Sequence, residues 1–103
     1  VIMSAVQQIL AKNTVTVFSK SWCPYCTRVK GLFGSLNLSV PYEAVELDQR
    51  ADGAALEAEL RELTKTTSVP KVFIKDKFIG GCDDAHALHK SGQLLSQINA
   101  ASS

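Results

Sequence analysis

Thr14-Val15-Thr16-Val17-Phe18-Ser19-Lys20-Ser21-Trp22-Cys23-Pro24-Tyr25-Cys26 is the stretch on which the reading of this chain turns. Its first five residues are β-branched or aromatic and alternate in polarity, which predicts a strand over 14–18. Pro24 suits the first position of a helix. Beyond it Cys26, Val29, Leu32, Phe33 and Leu36 recur on one face, while Arg28 and Lys30 point away, so an amphipathic helix starts at Pro24. Two cysteines three positions apart at a strand-to-helix junction read as a redox pair.

Working outward, residues 40–47 form a second strand with Pro41 near its start. Strand, helix and strand of this length make a βαβ unit, so the two strands run parallel. Before them, Val6, Ile9 and Leu10 at helical spacing predict a helix over 4–12, with Ser4 as its N-cap. After them, Leu56, Leu60 and Leu63 mark a helix over 53–65, entered from Asp52. Ser68-Val69-Pro70 breaks the pattern. Strands at 71–74 and 78–79 follow, joined by Lys75-Asp76-Lys77 in a hairpin. Gly80-Gly81-Cys82-Asp83-Asp84 reads as a flexible turn ending in N-cap acids, before a helix over 85–90. Gly92 punctuates, and Leu94, Leu95 and Ile98 lie on a final helix. The order α-β-α-β-α-β-β-α-α gives a single domain over 1–103, a three-layer α/β/α sandwich around a four-stranded mixed sheet.

The chain has 103 residues, 46% of them hydrophobic and 20% charged, with a net charge of +1. One globular core fits that length. Disorder does not, nor does the broad basic face of a nucleic-acid binder, so no nucleic-acid partner is expected. No apolar run approaches the roughly 20 residues that cross a bilayer, so no membrane partner is expected either. Three cysteines are too few for a disulfide-stapled secreted domain, and redox chemistry in a reducing compartment fits better. The expected location is cytoplasmic, or an organelle if a targeting segment once preceded Val1.

Cys23 falls at the N-cap of the helix that begins at Pro24. Free backbone N–H groups and about half a positive charge at a helix start both favour a thiolate. Cysteines so placed reach pKa values of roughly 3.5–7.5, against about 8.5 for a free thiol. Lys20 adds a positive charge nearby. Cys23 is therefore the expected nucleophile and Cys26, facing the interior, the resolving thiol. Zinc is the rival use of such a pair, with His86 and His89 completing four ligands. Those histidines sit on a distant helix with no second knuckle to present them, so they read as surface residues and no metal is expected. Cys82 reads as a small buried residue packed under the Gly-Gly turn; a regulatory thiol is the competing reading.

Trp-Cys-Pro-Tyr-Cys after a strand, Ser68-Val69-Pro70 before the hairpin, and Gly80-Gly81-Cys82-Asp83-Asp84 after it together resemble a dithiol glutaredoxin. The resemblance spans essentially the whole chain. Thioredoxins typically carry Cys-Gly-Pro-Cys instead. The resemblance implies a thioredoxin-like fold and a groove for glutathione, the co-substrate. It implies that Lys20 pairs with a carboxylate of glutathione and that Tyr25 flanks the bound sulfur. Pro70 matches the family's cis-proline, which presents the backbone of Val69 for strand-like hydrogen bonding. Asp83 and Asp84 match the pair that holds the γ-glutamyl end. Two positions depart from the family: Glu57 stands where relatives often carry Gln, and Thr66-Thr67 where they often place Gln-Arg. Glu57 and Thr67 are accordingly left out of the expected site.

The implied activity is glutathione-dependent reduction of protein–glutathione mixed disulfides and protein disulfides by a monomeric enzyme. The competing reading is a homodimeric [2Fe–2S] carrier ligated by Cys23 and glutathione. Pro24 argues against it, since cluster-assembling relatives tend to have Gly or Ser there and proline stiffens the turn.

Overall fold

The structure, a computed structural model, describes residues 2–102; Val1 and Ser103 lie outside the described residues. In chain order the elements are α1 (Ala5–Ala11), β1 (Val15–Ser19), α2 (Pro24–Ser35), β2 (Tyr42–Glu46), a 3-10 turn (Leu47–Gln49), α3 (Gly53–Thr64), β3 (Lys71–Ile74), β4 (Lys77–Gly80), α4 (Cys82–Lys90) and α5 (Gln93–Ala101). The sheet order is β2-β1-β3-β4. β1 runs parallel to β2, with Val15 opposite Tyr42 and Ser19 opposite Glu46. It runs antiparallel to β3, which pairs antiparallel with β4. The mixed four-stranded sheet is the one expected.

Strand alternation divides the core in two. Val15 and Val17 of β1 join Val72 and Ile74 of β3 on one face, covered by α2, α4 and α5 through Val29, Leu32, Phe33, Ala85, Leu94 and Ile98. Phe18 and Phe73 point to the opposite face, covered by α1 and α3 through Val6, Ile9, Leu10, Leu56 and Leu60. The Phe18 and Phe73 rings meet edge to face, 5.6 Å apart, an arrangement aromatic quadrupoles favour. Helices, sheet and helices make the three layers.

Several boundaries differ from expectation. The second strand starts at Tyr42 rather than residue 40. Pro41 lacks an N–H for the ladder, and its carbonyl instead accepts from the N–H groups of Thr14 and Val15. Leu47 leaves the strand for the 3-10 turn, which the sequence did not announce. Asp52 makes no side-chain cap on α3, because its carboxylate is held by Arg50 at 2.8 Å. Leu63, in the last turn of α3, is 52% exposed, and the buried stripe stops at Leu60. Leu95 is exposed too: Leu94 and Ile98 are one turn apart, and Leu95 lies about 100° off that line. The hairpin closes on two residues, Lys75 and Asp76, with Lys75 at φ 52. Ser4 caps α1 as expected, its hydroxyl accepting from Gln7 N–H while the Gln7 side chain accepts from Ser4 N–H.

Candidate active site

The parallel register of β1 and β2 sets the approach to the cysteines. Ser19, at the end of β1, donates from Oγ to Glu46 at 2.7 Å, and Lys30 of α2 holds the other Glu46 oxygen at 2.7 Å. Two residues on, Ser21 N–H donates to Asp48 at 2.9 Å, and the Ser21 hydroxyl bonds the same carboxylate. Those two bonds hold the Asp48 carboxyl below its usual range. The chain between β1 and α2 is thus pinned to the end of β2 and the turn after it.

Cys23 is the N-cap of α2, and Pro24 follows at the first helical position. The Cys23 sulfur accepts from Cys26 N–H at 3.3 Å. Burial pushes the Cys23 thiol up. Hydrogen bonds from the Cys26 side chain and from the N–H groups of Cys26 and Tyr25, with a smaller attraction from Lys30, outweigh it and leave Cys23 below an ordinary thiol. Cys26 moves the opposite way: burial and the neighbouring Cys23 raise it, against opposing bonds from the Lys20 backbone and the Ser19 hydroxyl. Cys23 is 6% exposed and Cys26 0%. The pair is therefore asymmetric, with the outer sulfur the easier to ionise.

Lys20 was expected to supply the nearby positive charge and to pair with a ligand carboxylate. Its Nζ lies 2.7 Å from Glu57 of α3 and 5.8 Å from the centre of the Trp22 ring. The cation acting on Cys23 is Lys30, one helical face along α2. Sequence reasoning missed Lys30, Glu46 and Asp48 as supports of the site. The signal was the parallel βαβ register, which places residues 46 and 48 beside 19 and 21.

The remaining expected residues gather on one side of the cysteines. The Val69–Pro70 peptide is cis, and the Val69 carbonyl lies 4.0 Å from the Cys23 sulfur. Tyr25, Ser68, Val69, Pro70, Asp83 and Asp84 line a groove of about 250 Å³ together with Gly81 and Cys82. Tyr25 is exposed on the rim, with the Arg28 guanidinium 5.6 Å from its ring centre.

The acids at the far wall are placed differently from expectation. α4 begins at Cys82 rather than residue 85, so Asp83 and Asp84 lie inside its first turn and Gly81 is the N-cap. Gly81 has no side chain to cap with; the Asp84 carboxylate supplies the cap by accepting from Gly81 N–H at 3.0 Å. A Cβ on Gly80, at φ 117, would stand 2.1 Å from that same Asp84 oxygen, so the close approach requires glycine.

Cys82 is buried among the core residues of α2 and α5, and burial raises its thiol. His86 is half-buried rather than on the surface, its Nδ1 2.8 Å from the Cys82 carbonyl and 3.4 Å from the Cys82 sulfur. His89 is exposed. Among the described residues no three His, Cys, Asp or Glu side chains gather to hold a metal ion.

The family model named Glutaredoxin matches residues 15–79. The chain belongs to the glutaredoxin family. Among glutaredoxins it is 48% identical over 95 residues to the Oryza sativa protein glutaredoxin-C4, chloroplastic, covering 92% of this chain and 70% of that one. It is 43% identical over 99 residues to a Ricinus communis glutaredoxin, covering 96% and 95%. The crystal structure of the buckwheat glutaredoxin–glutathione complex superposes with a TM-score of 0.87 at 42% identity, covering 94% of this chain and 86% of that one. Glutaredoxins are thiol-redox enzymes, and the fold expected from the cysteine motif, thioredoxin-like, is the one observed.

Proposed function

We propose that this glutaredoxin reduces protein–glutathione mixed disulfides and protein disulfides, with Cys23 as the nucleophile and glutathione as the reductant. One observation carries the reading: the Cys23 sulfur, at the N-cap of α2, lies 4.0 Å from the carbonyl of Val69, and Val69 lines a groove with Pro70 and the first turn of α4. The glutathione complex of the buckwheat relative supports a glutathione occupant for that groove.

The Cys23 thiolate attacks the glutathione sulfur of a mixed disulfide, and the protein leaves as its thiolate, taking a proton from water. A second glutathione thiolate attacks the Cys23-bound glutathione sulfur, releasing oxidised glutathione and regenerating Cys23. With a protein disulfide, the Cys23 thiolate attacks one substrate sulfur and the other leaves as the first thiolate; Cys26 then attacks the Cys23 sulfur of the resulting mixed disulfide. The second substrate thiol departs, and two glutathiones reduce the Cys23–Cys26 bond. Glutaredoxin potentials of about −200 to −230 mV lie near the glutathione pool, so direction follows that pool.

Val69 offers its backbone to glutathione, Pro70 and Tyr25 flank the sulfur, and Asp83 and Asp84 receive the γ-glutamyl end. There the helix start binds the carboxylate and an Asp side chain takes the ammonium group. Lys20 faces the other end. The chain works as one domain and as a monomer. The rice relative's chloroplast name supports an organellar setting beside the expected cytoplasmic one.

The test is a glutathione-coupled assay on wild type, Cys23→Ser and Cys26→Ser. Cys23→Ser abolishes both activities, and Cys26→Ser keeps deglutathionylation while losing protein-disulfide reduction. Turnover that survives Cys23→Ser would remove the assignment. A brown, visibly absorbing protein on anaerobic purification would favour the [2Fe–2S] carrier instead.

A further inference from the structure

The groove does not end at Val69. On that residue's other side lies a small polar recess of about 30 Å³, lined by Glu57, Arg61, Thr67 and Lys71 above the apolar Leu47 and Leu60. Val69 is common to both cavities. A ligand whose thiol meets Cys23 and whose α-amino acid end meets α4 therefore sends its opposite end toward this recess. For glutathione that end is the glycine carboxylate.

Three cations attend the recess: Lys20 and Lys71 are each held by a partner, and Arg61 is exposed on α3, where solvent screens its charge. Lys20 is held by Glu57 at 2.7 Å, with the two side chains 27% and 38% exposed, so the pair is partly withdrawn from solvent. Lys71 is buried and donates to the Ser68 carbonyl. Burial pulls the Lys71 ammonium down, and the Glu57 charge works against that shift. Glu57 thus faces both lysines. An arriving carboxylate meets Lys20 only by exchanging with Glu57, and the displaced carboxylate then stands beside the newcomer. Like charges that close oppose each other.

We propose that Glu57 sets the specificity of this end of the groove: by holding Lys20 it cancels the preference for a C-terminal carboxylate. The chain then accepts glutathione amidated at its C-terminus about as well as glutathione. The proposal rests on the glutathione reading above and deepens it. A γ-glutamyl thiol peptide with a neutral C-terminus leaves the Lys20–Glu57 pair intact, since a carboxamide can lie against it without bringing a second negative charge.

The experiment compares glutathione with glutathione amide, in which the glycine carboxylate is a carboxamide, as reductants of wild type and Glu57→Gln. Glu57 is partly exposed on α3, and Gln keeps its shape, so the variant retains the fold. The readout is the ratio of kcat/KM for the two thiols. Wild type should give a ratio within about twofold, and Glu57→Gln should favour glutathione by about fivefold, the value of one half-exposed ion pair released to the ligand. Raised salt should shrink the variant's ratio and leave the wild type's unchanged. A wild-type ratio already as large as the variant's would overturn the proposal alone, as would a variant ratio that does not move. Turnover of neither thiol by either protein would overturn the glutathione reading, and this proposal with it.

Discussion

At the residue scale the site is governed by how two sulfurs in one helical turn divide the local hydrogen bonds. Cys23 receives N–H donors from the first turn of α2 and falls below an ordinary thiol; Cys26 is enclosed and rises. The sign follows directly. As pH rises, the Cys23 thiolate forms first, so alkylation by iodoacetamide should be fast at Cys23 with a midpoint below about 8.5, and slow at Cys26. Lys30 is the smallest contributor to the Cys23 shift and is partly neutralised by Glu46. Lys30→Met should therefore leave the Cys23 midpoint nearer to wild type than to an ordinary thiol, measured by mass-resolved alkylation against pH. A larger rise would give the main role to Lys30 rather than to the helix start. A second residue-scale prediction concerns Thr16, on the central strand, whose Oγ1 is buried with no hydrogen-bond partner. An unpaired buried hydroxyl costs about 1–3 kcal/mol, and valine has nearly the same shape and suits a strand. Thr16→Val should raise the urea unfolding free energy by about 1 kcal/mol and leave turnover unchanged; a drop in stability would show that the hydroxyl is satisfied in solution.

At the element scale the first turn of α4 decides the far wall of the groove. Its N-cap is a glycine, so Asp84 alone satisfies the Gly81 N–H, and Gly80 must stay bare for Asp84 to reach it. Gly80→Ala places a methyl group on Asp84 at a positive φ and should lower the Tm while raising KM for glutathione more than it lowers kcat. Asp84→Ala removes the same cap without backbone strain and should reproduce the KM effect with a smaller fall in Tm. Unchanged KM in both would detach this turn from the ligand. The elements themselves were legible where periodicity was strong: the β-branched run of β1, the stripe of α2 and the βαβ order needed only the sequence. What stayed hidden was set by contacts distant along the chain. Asp83 and Asp84 read as acids before a helix because Gly80-Gly81 reads as a turn, yet the hairpin and the core under Cys82 pull the helix start back to Cys82. The ion pair of Lys20 was hidden because nothing local names its mate. Glu57, 37 residues on, pairs with it only once α3 packs against the sheet.

At the scale of the whole molecule the sheet is shared by two cores, and the site sits where β1, between them, hands over to α2. Val15 and Val17 anchor β1 on the face of α2, α4 and α5, while Phe18 anchors it on the face of α1 and α3. Neither face can lose its packing without disturbing the strand that positions Cys23, so the two cores should unfold together. Phe18 is fully buried and meets Phe73 edge to face. Phe18→Ala should lose about 3–5 kcal/mol, through the removed ring and the cavity it leaves. Against the roughly 5–15 kcal/mol that holds a domain of this size, that is a large fraction. The measurement follows urea unfolding by far-UV circular dichroism and, in parallel, by pulsed alkylation of Cys26 in a Cys23→Ser background. Circular dichroism reports every helix, and Cys26 lies on α2, which packs on the face opposite Phe18. Coincident midpoints, both shifted by the same amount in Phe18→Ala, are expected of one cooperative unit. Cys26 labelling that keeps its wild-type midpoint while the dichroism shifts would separate the two faces, and would mean that α2 holds the active sulfur without help from the α1–α3 layer.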